Sequence, residues 1–517
     1  MKSAIEFKLP NPLEYRLTNP NYTIYHRAAL GGLAATISAW GKEPPDGISA
    51  KVDRDNIKLR WDEKLSAYQA LQRIIESSFM LTPDGVIELP GQKVEYDDLR
   101  LAIHNGLMST FLNHPSSYEA AGGFTTMVLR NVDEEFADTR ISYKPLVTFA
   151  HQETLQRTNS LDGNDHFLPN AELPKWMVPG AFTGAHALET SSEDAFLLTF
   201  LIVSCAVFLL PPANTRKQYE YCVVIPDVND LLAFSSAVQR IAALKSDIRE
   251  FKTLYLMRVV SGAAEGALRF LIDLKADDVG SERAVNGCLA LLIGKVAWDP
   301  KQNTRSVIIR IRDSYDELDI FRAAHKYLSH PKIFKNKKGQ NFIVLQSPIP
   351  VLIAANLADD RHWCDRFLNL VEDQDDFNNM IRFMRGGLKA MEKSIRDEDD
   401  RAIIRAFQEA WRLTMGEFSE RAKAGEFIFE RKVETEREKI RNSILRSKTA
   451  DALASWFLRF CADATKGASL NAFKTDGARI RVFIFNQRNF ERFQNLCLFA
   501  LVSYAGEGFI KNAEGVS

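Results

Sequence analysis

The side chains of this chain that could do chemistry are donors and cations rather than nucleophiles. The best hairpin signal is LALLIGKVAWDPKQNTRSVIIRIRD, residues 289–313. Two apolar runs there flank Asp299-Pro300-Lys301-Gln302-Asn303-Thr304-Arg305, and apolar runs joined by a polar stretch read as a hairpin. Lys301, Gln302, Asn303 and Arg305 at its tip can donate to phosphates and read base edges, although hairpin tips are polar in any case. Residues 330–340, HPKIFKNKKGQ, place Lys332, Lys335, Lys337 and Lys338 close together. This is either a solvated loop or one that tracks phosphates, since charges on flexible stems suit sequence-independent contact. A third set is Arg421, Lys423, Arg431, Lys432, Arg437, Lys439, Arg441, Arg446 and Lys448, set against five glutamates between 421 and 448. A mixed charged helix is most often a solvated face; a basic groove is the sharper reading.

Other chemistries lack their residues. There is no GxxxxGK[ST], no HExxH and no GxSxG, and no His is followed directly by Asp. Asp359-Asp360-Arg361-His362 reads as helix capping and surface charge. The six cysteines (205, 222, 288, 364, 461 and 497) stand far apart, mostly in apolar contexts and without a CxxC pair. That pattern suits free thiols in a reducing compartment and argues against disulfides and zinc. His151, His166 and His186 are spaced too irregularly to suggest a metal. No catalytic residue, metal or cofactor is expected. If there were an enzymatic site, the polar stretch 151–173 with His151 and His166 would be the place to look.

The elements that must position the cations can also be read. With 517 residues the chain is long enough for two to four domains, and its net charge of −1 confines any polyanion-binding surface to local patches. No apolar leader opens the sequence, and a cytoplasmic protein with no membrane association is expected. At the centre, residues 174–212 run from a Pro/Gly-punctuated loop (Trp176, Pro179, Gly180, His186) into fifteen uncharged residues, 196–210. Fifteen positions are short for a membrane span of about 20, so they are expected as buried strands or a buried helix. A helix is expected from Asn21, capped by Thr23, with Gly31-Gly32 marking close approach of another backbone. Strands are expected over 48–61, a turn at Pro83-Asp84-Gly85, and helices at 64–78 and 96–113. Beyond 356 strand signals thin out, and helices are expected near 361–396, 398–424, 426–445, 450–464 and 487–507. The fold class is therefore α+β: a large mixed α/β N-terminal domain with β-hairpins over 1–355, then a C-terminal helical bundle over 356–517.

Five stretches in order carry a resemblance: NYTIYHRAALGGLAATI, DGVIELPG, PKWMVPGAFTGAHAL with the apolar run after it, GKVAWDPKQNTRS and QNLCLFALVSYAG. Together they resemble the large subunit of type I CRISPR effector (Cascade) complexes, the Cas-eight family, in the subfamily also placed with type I-B systems. The resemblance implies a non-catalytic subunit of an RNA-guided complex at the guide 5′ end. Such a subunit recognises the protospacer-adjacent motif (PAM) in duplex DNA, aids its opening and holds the displaced strand. This division of labour is physically sensible, because base pairing reads the target and the protein reads few bases and many phosphates. The implied partners are guide crRNA, target double-stranded DNA, and the backbone, 5′-handle-capping and small subunits. A nuclease-helicase or a transposition machinery would complete the set. The C-terminal part would resemble the small subunit, which some relatives also make from an internal start. On this resemblance Lys301, Gln302, Asn303 and Arg305 become PAM candidates, and the other cations become backbone contacts. The alternative is a scaffold or adaptor that binds only protein through its charged helices.

Overall fold

The computed structural model describes residues 7–129, 139–158, 166–167, 171–179, 188–210, 220–243, 255–260, 262–275, 284–296, 299–312, 317–329, 332–335, 342–345 and 347–505. The chain divides into two compact units, Met1–Ser314 and Tyr315–Ser517. The sequence changes texture at 355/356 instead. Helix Leu318–Leu328 and a short hairpin, Lys332–Lys335 with Phe342–Leu345, lie between the two positions. The fold is α+β: helices and small sheets mix in the first unit, and helices dominate the second.

The apolar run at the centre of the first unit is half helix and half strand. Ser191 Oγ caps helix Ser192–Leu198 by accepting the Asp194 N–H at 3.1 Å. A turn at Leu201–Ser204 follows, then strand Ala206–Leu210. That strand lies second in a five-stranded sheet ordered Tyr255–Val259, Ala206–Leu210, Glu220–Val228, Val285–Val296, Asp299–Arg312. Only the pairing of the first two is parallel. Strand Glu220–Val228 is buried without a break from Cys222 to Val228, as a strand covered on both faces must be.

Helix Ile24–Trp40 packs against this core through its glycine pair. A Cβ on Gly31 would stand 2.8 Å from Phe234 and Val228, and one on Gly32 only 2.1 Å from the Phe200 carbonyl oxygen. The close approach expected of Gly31-Gly32 is what the fold uses. At the helix start, Arg27 Nε donates to Asp227 Oδ1 at 2.6 Å and its Nη1 to the Tyr22 carbonyl at 3.0 Å. The expected strands form at Ile48–Val52 and Asn56–Trp61. The turn forms between Met80–Leu81 and Ile87–Glu88, with Gly85 at φ 73°.

Two histidines in this unit, His104 and His151, are core residues. His104, on helix Asp97–Ser109, accepts the Ile87 N–H at Nδ1 (3.2 Å), while Nε2 lies 3.0 Å from the Lys144 carbonyl. That pairing fits the tautomer with the proton on Nε2. Burial pulls its pKa down to about 4. His151 is 1% exposed, between the rings of Phe79 (5.4 Å), Phe149 (5.9 Å) and Trp176 (4.6 Å). Neither of its nitrogens has a hydrogen-bond partner among the described residues, and burial pulls its pKa down to about 3. An open site at His151 is therefore not what the geometry offers.

In the second unit, helix Glu398–Lys423 packs against Ala450–Ala464, Asn471–Ile484 and Phe490–Ser503. The expected helix 361–396 is broken. Arg366 is left-handed (φ 61°), and Asp373 ends the short helix Phe367–Val371 by capping the next one, Gln374–Asn379. A turn of π-helix, Met380–Met384, then leads into Arg385–Glu392. His362 is not surface charge either. Its Nε2 lies 2.9 Å from Asp400 Oδ2. The fully buried Asp400 also accepts from Trp363 Nε1 at 2.9 Å and from Arg492 Nε at 2.9 Å. No helix among the described residues is long and apolar enough to cross a membrane.

Candidate nucleic-acid interface

The hairpin candidate is built from aliphatic and β-branched runs that pair closely, Leu289 with Arg310 through Leu292 with Val307. The structure shortens the expected polar tip. Val296 already pairs with Asp299, so residues 299–305 belong to the second strand, whose other side carries no strand among the described residues. Asn303 is opposite Lys295 and Arg305 opposite Ile293. The register jumps between Val296–Asp299 and Lys295–Asn303, which leaves 300–302, including Lys301 and Gln302, as an irregular insertion. Such bulges kink a strand and commonly re-aim it beside functional sites. The hairpin is anchored at its other end: Arg310 Nη2 lies 3.3 Å from Asp227 Oδ2, the carboxylate that Arg27 also holds. One buried acid thus ties the hairpin, the central strand and the glycine-pair helix together.

The lysine candidates separate. Lys332 and Lys335 are the two ends of strand Lys332–Lys335, opposite Leu345 and Phe342. Lys337 and Lys338 lie outside the described residues.

The nine cations of 421–448 fall into distinct groups. Arg421 and Lys423 end helix Glu398–Lys423, while Arg431 through Arg446 are on helix Phe429–Arg446. Arg441 is 6% exposed: its Nη1 donates to the Val371 and Asp373 carbonyls (3.4 and 3.2 Å) and its guanidinium lies over Phe377 at 5.0 Å. It locks two helices together. Arg437 is half-buried, and burial followed by the nearby Arg385 charge pulls its pKa down to about 10; it stays cationic at neutral pH. Three others are engaged locally. Arg421 pairs with Glu426 at 2.7 Å and lies over Phe427, Lys423 pairs with Glu420 at 3.0 Å, and Lys432 lies 5.2 Å over the Phe418 ring. Lys439 reaches Glu436 only at 3.5 Å. Arg431 and Arg446 have no ion pair among the described residues, and Lys448 meets only the Leu445 carbonyl at 3.5 Å. Arg431, Lys439 and Arg446 recur at roughly two-turn spacing, so they share an exposed face. Fifteen residues of helix extend about 22 Å, the length of about six nucleotides of one strand at about 3.4 Å each.

Sequence reasoning missed the buried set around Asp400. Its members, His362, Trp363, Asp397, Asp400 and Arg492, are too dispersed in the chain to form a pattern. The one available signal was a His, a Cys and three acids within a few residues of 362.

Comparison with known proteins gives this geometry its family. Residues 14–199 match the DevT N-terminal domain and residues 392–516 the DevT C-terminal domain. The hairpin lies between the two matched segments, and the basic helix lies within the second. The chain is 24% identical to CRISPR-associated protein Cas8a1/Csx13 of Myxococcus xanthus (strain DK1622), over 97% of this chain and 90% of that protein. The matches reach the family and go no further towards a I-B-like subfamily. With both DevT domains in order and a relative aligned over nearly its whole length, the chain belongs to the Cas8 family and is the large subunit of a type I CRISPR system.

Proposed function

We propose that this chain is the non-catalytic subunit that recognises the PAM in double-stranded DNA, aids duplex opening and stabilises the displaced strand. Its partners are a guide crRNA, the target duplex and the other Cascade subunits. The observation that carries the reading is the exposed stripe of Arg431, Lys439 and Arg446, which are weakly paired or unpaired among the described residues on a helix long enough to track a strand. Cations without intrachain partners are what counterion-releasing phosphate contact uses. The register jump beside Lys301, Gln302, Asn303 and Arg305 supports the hairpin as the element that meets the PAM. Lys332, Lys335, Lys337 and Lys338 are assigned to the nucleic-acid backbone.

The test is assembly with neighbouring gene products and a guide RNA, followed by binding to matched targets beside a randomised motif. Enrichment of a short motif only when this chain is present supports the reading. Gln302→Ala with Asn303→Ala is expected to change the ranking of motifs. A uniform loss of affinity instead demotes the hairpin to a backbone contact. Arg431→Ala with Arg446→Ala should leave the ranking intact and lower the salt slope by about 1.4, at about 0.7 per single-strand phosphate contact. Assembly without any salt-sensitive DNA binding would favour a protein-only adaptor.

A further inference from the structure

Three donors of different chemistry meet in one tight turn of the C-terminal unit. A ring nitrogen of His362, Sγ of Cys364 and a carboxylate oxygen of Asp365 all lie within 4.8 Å of one another. We propose that these three residues bind a divalent transition metal, zinc by the character of the set, within this unit. A nitrogen, a sulfur and an oxygen donor form the borderline-soft combination that zinc accepts. At about 2.0–2.3 Å per metal–ligand bond, two donors on one tetrahedral ion stand about 3.3–3.8 Å apart. With all three donor atoms within 4.8 Å of one another, the turn needs to close by at most about 1–1.5 Å to coordinate. His362 Nδ1 and Cys364 Sγ are already 3.1 Å apart.

The surroundings fit a metal site in three independent respects. His362 Nε2, on the other side of the ring, lies 2.9 Å from the buried Asp400 carboxylate. Metal-binding histidines commonly present their second nitrogen to a carboxylate, which orients the ring. The contact is close without being aligned as a straight hydrogen bond. Second, the turn is braced from outside: Asn356 Nδ2 donates to the carbonyls of Trp363 (3.1 Å) and Asp365 (2.6 Å), and Arg366 closes the turn in the left-handed region. Third, the Asp365 carboxylate has no hydrogen bond or ion pair among the described residues. A thiol–imidazole hydrogen bond alone would account for the 3.1 Å contact and would leave that carboxylate idle. On binding, the metal replaces the thiol proton, which leaves to solvent, and the thiolate and carboxylate together neutralise the dication. Water would complete the coordination. The motif escapes sequence searches because His-x-Cys-Asp lacks the paired spacing of known zinc modules.

The test is cobalt substitution in the full chain after dialysis against a chelator. One equivalent of Co²⁺ should give a thiolate-to-cobalt charge-transfer band and tetrahedral d–d bands, and zinc should displace both. Cys364→Ala should abolish the charge-transfer band. Because Cys364 is fully buried and that variant can fail to fold, Asp365→Asn is the second probe. It alters one atom of a half-buried side chain and should weaken cobalt binding at least tenfold while far-ultraviolet circular dichroism stays unchanged. Absence of a thiolate band in the unaltered chain overturns the proposal, as does a band that persists in folded Cys364→Ala or stoichiometric binding undiminished by Asp365→Asn. None of these readouts depends on whether the chain binds DNA.

Discussion

The two units hide polar chemistry in opposite ways. The N-terminal unit buries two histidines uncharged: His104 between two backbone groups, His151 among aromatic rings with no polar partner among the described residues. Among its buried acids, Asp227 sits near the end of a strand where two arginines reach it, and Asp230 pairs with Arg54. The C-terminal unit instead carries charge inside. Arg492 Nη2 lies 2.7 Å from Asp400 and 2.8 Å from Asp397, around a carboxylate that also takes Trp363 and faces His362. An apolar core with neutral rings resists substitution mainly through shape. A buried charge network resists it through electrostatics, because removing one member strands the others.

The comparison can be broken most decisively at Asp400. Asp400→Ala should destabilise the C-terminal unit by about 3–5 kcal/mol, the usual cost of leaving a buried charge unpaired, read as a lower urea midpoint in the unfolding of the full chain. A loss below about 1 kcal/mol would mean the network is solvated. In the N-terminal unit the matching lesion is steric. Gly32→Ala drives a Cβ against the Phe200 carbonyl at 2.1 Å and should cost about 1–3 kcal/mol, the range for overpacking. Gly416, inside helix Glu398–Lys423, has nothing within 4 Å of the same added atom. Gly416→Ala should therefore stabilise the second unit by up to about 1 kcal/mol. Equal and opposite signs at the two glycines would sharpen the contrast; equal destabilisation would remove it.

Acid offers a finer test. His151 is depressed to about 3 in the fold, so between its ordinary value and about 3 the unfolded chain binds a proton that the native chain refuses. Its contribution to stability is complete above about pH 6.5 and is lost as pH falls, by about 1.4 kcal/mol per pH unit. His151→Leu should flatten the dependence of stability on pH between about 6 and 4 by that amount. An unaltered slope would mean that water reaches the ring. The smallest effect expected is on the basic helix. Arg431→Ala should change stability by less than about 0.5 kcal/mol, whereas Arg441→Ala removes two carbonyl contacts and a ring contact and should cost about 1–3 kcal/mol.

Legibility in the sequence followed the range of the interaction. The capped helix at Thr23, the turn at Gly85 and the long helix from Glu398 rest on neighbours a few positions away, so their residues announce them. Helix Asn471–Ile484 was missed because its first N–H groups are capped by Glu409, from 62 residues away. The helix expected over 361–396 breaks because His362 and Trp363 turn inwards to Asp400 and Asp373 caps a new helix start. In the candidate interface, the positions of the cations were legible but their occupancy was not. Nothing in the run 421–448 separates Arg441, spent on two carbonyls, from Arg431, which makes no ion pair among the described residues.

By composition and periodicity alone, the sequence determined an α+β chain with a buried centre, a helical C-terminal part and cations gathered in local runs, because those properties depend on residue type and near neighbours. Tertiary structure alone decided which cations remain available and that 299 and 303–305 pair as strand. It also brought His362, Cys364 and Asp365 to one point beside Asp400. Hydrogen bonds and ion pairs form between groups that folding brings together, and sequence separation carries no record of that distance.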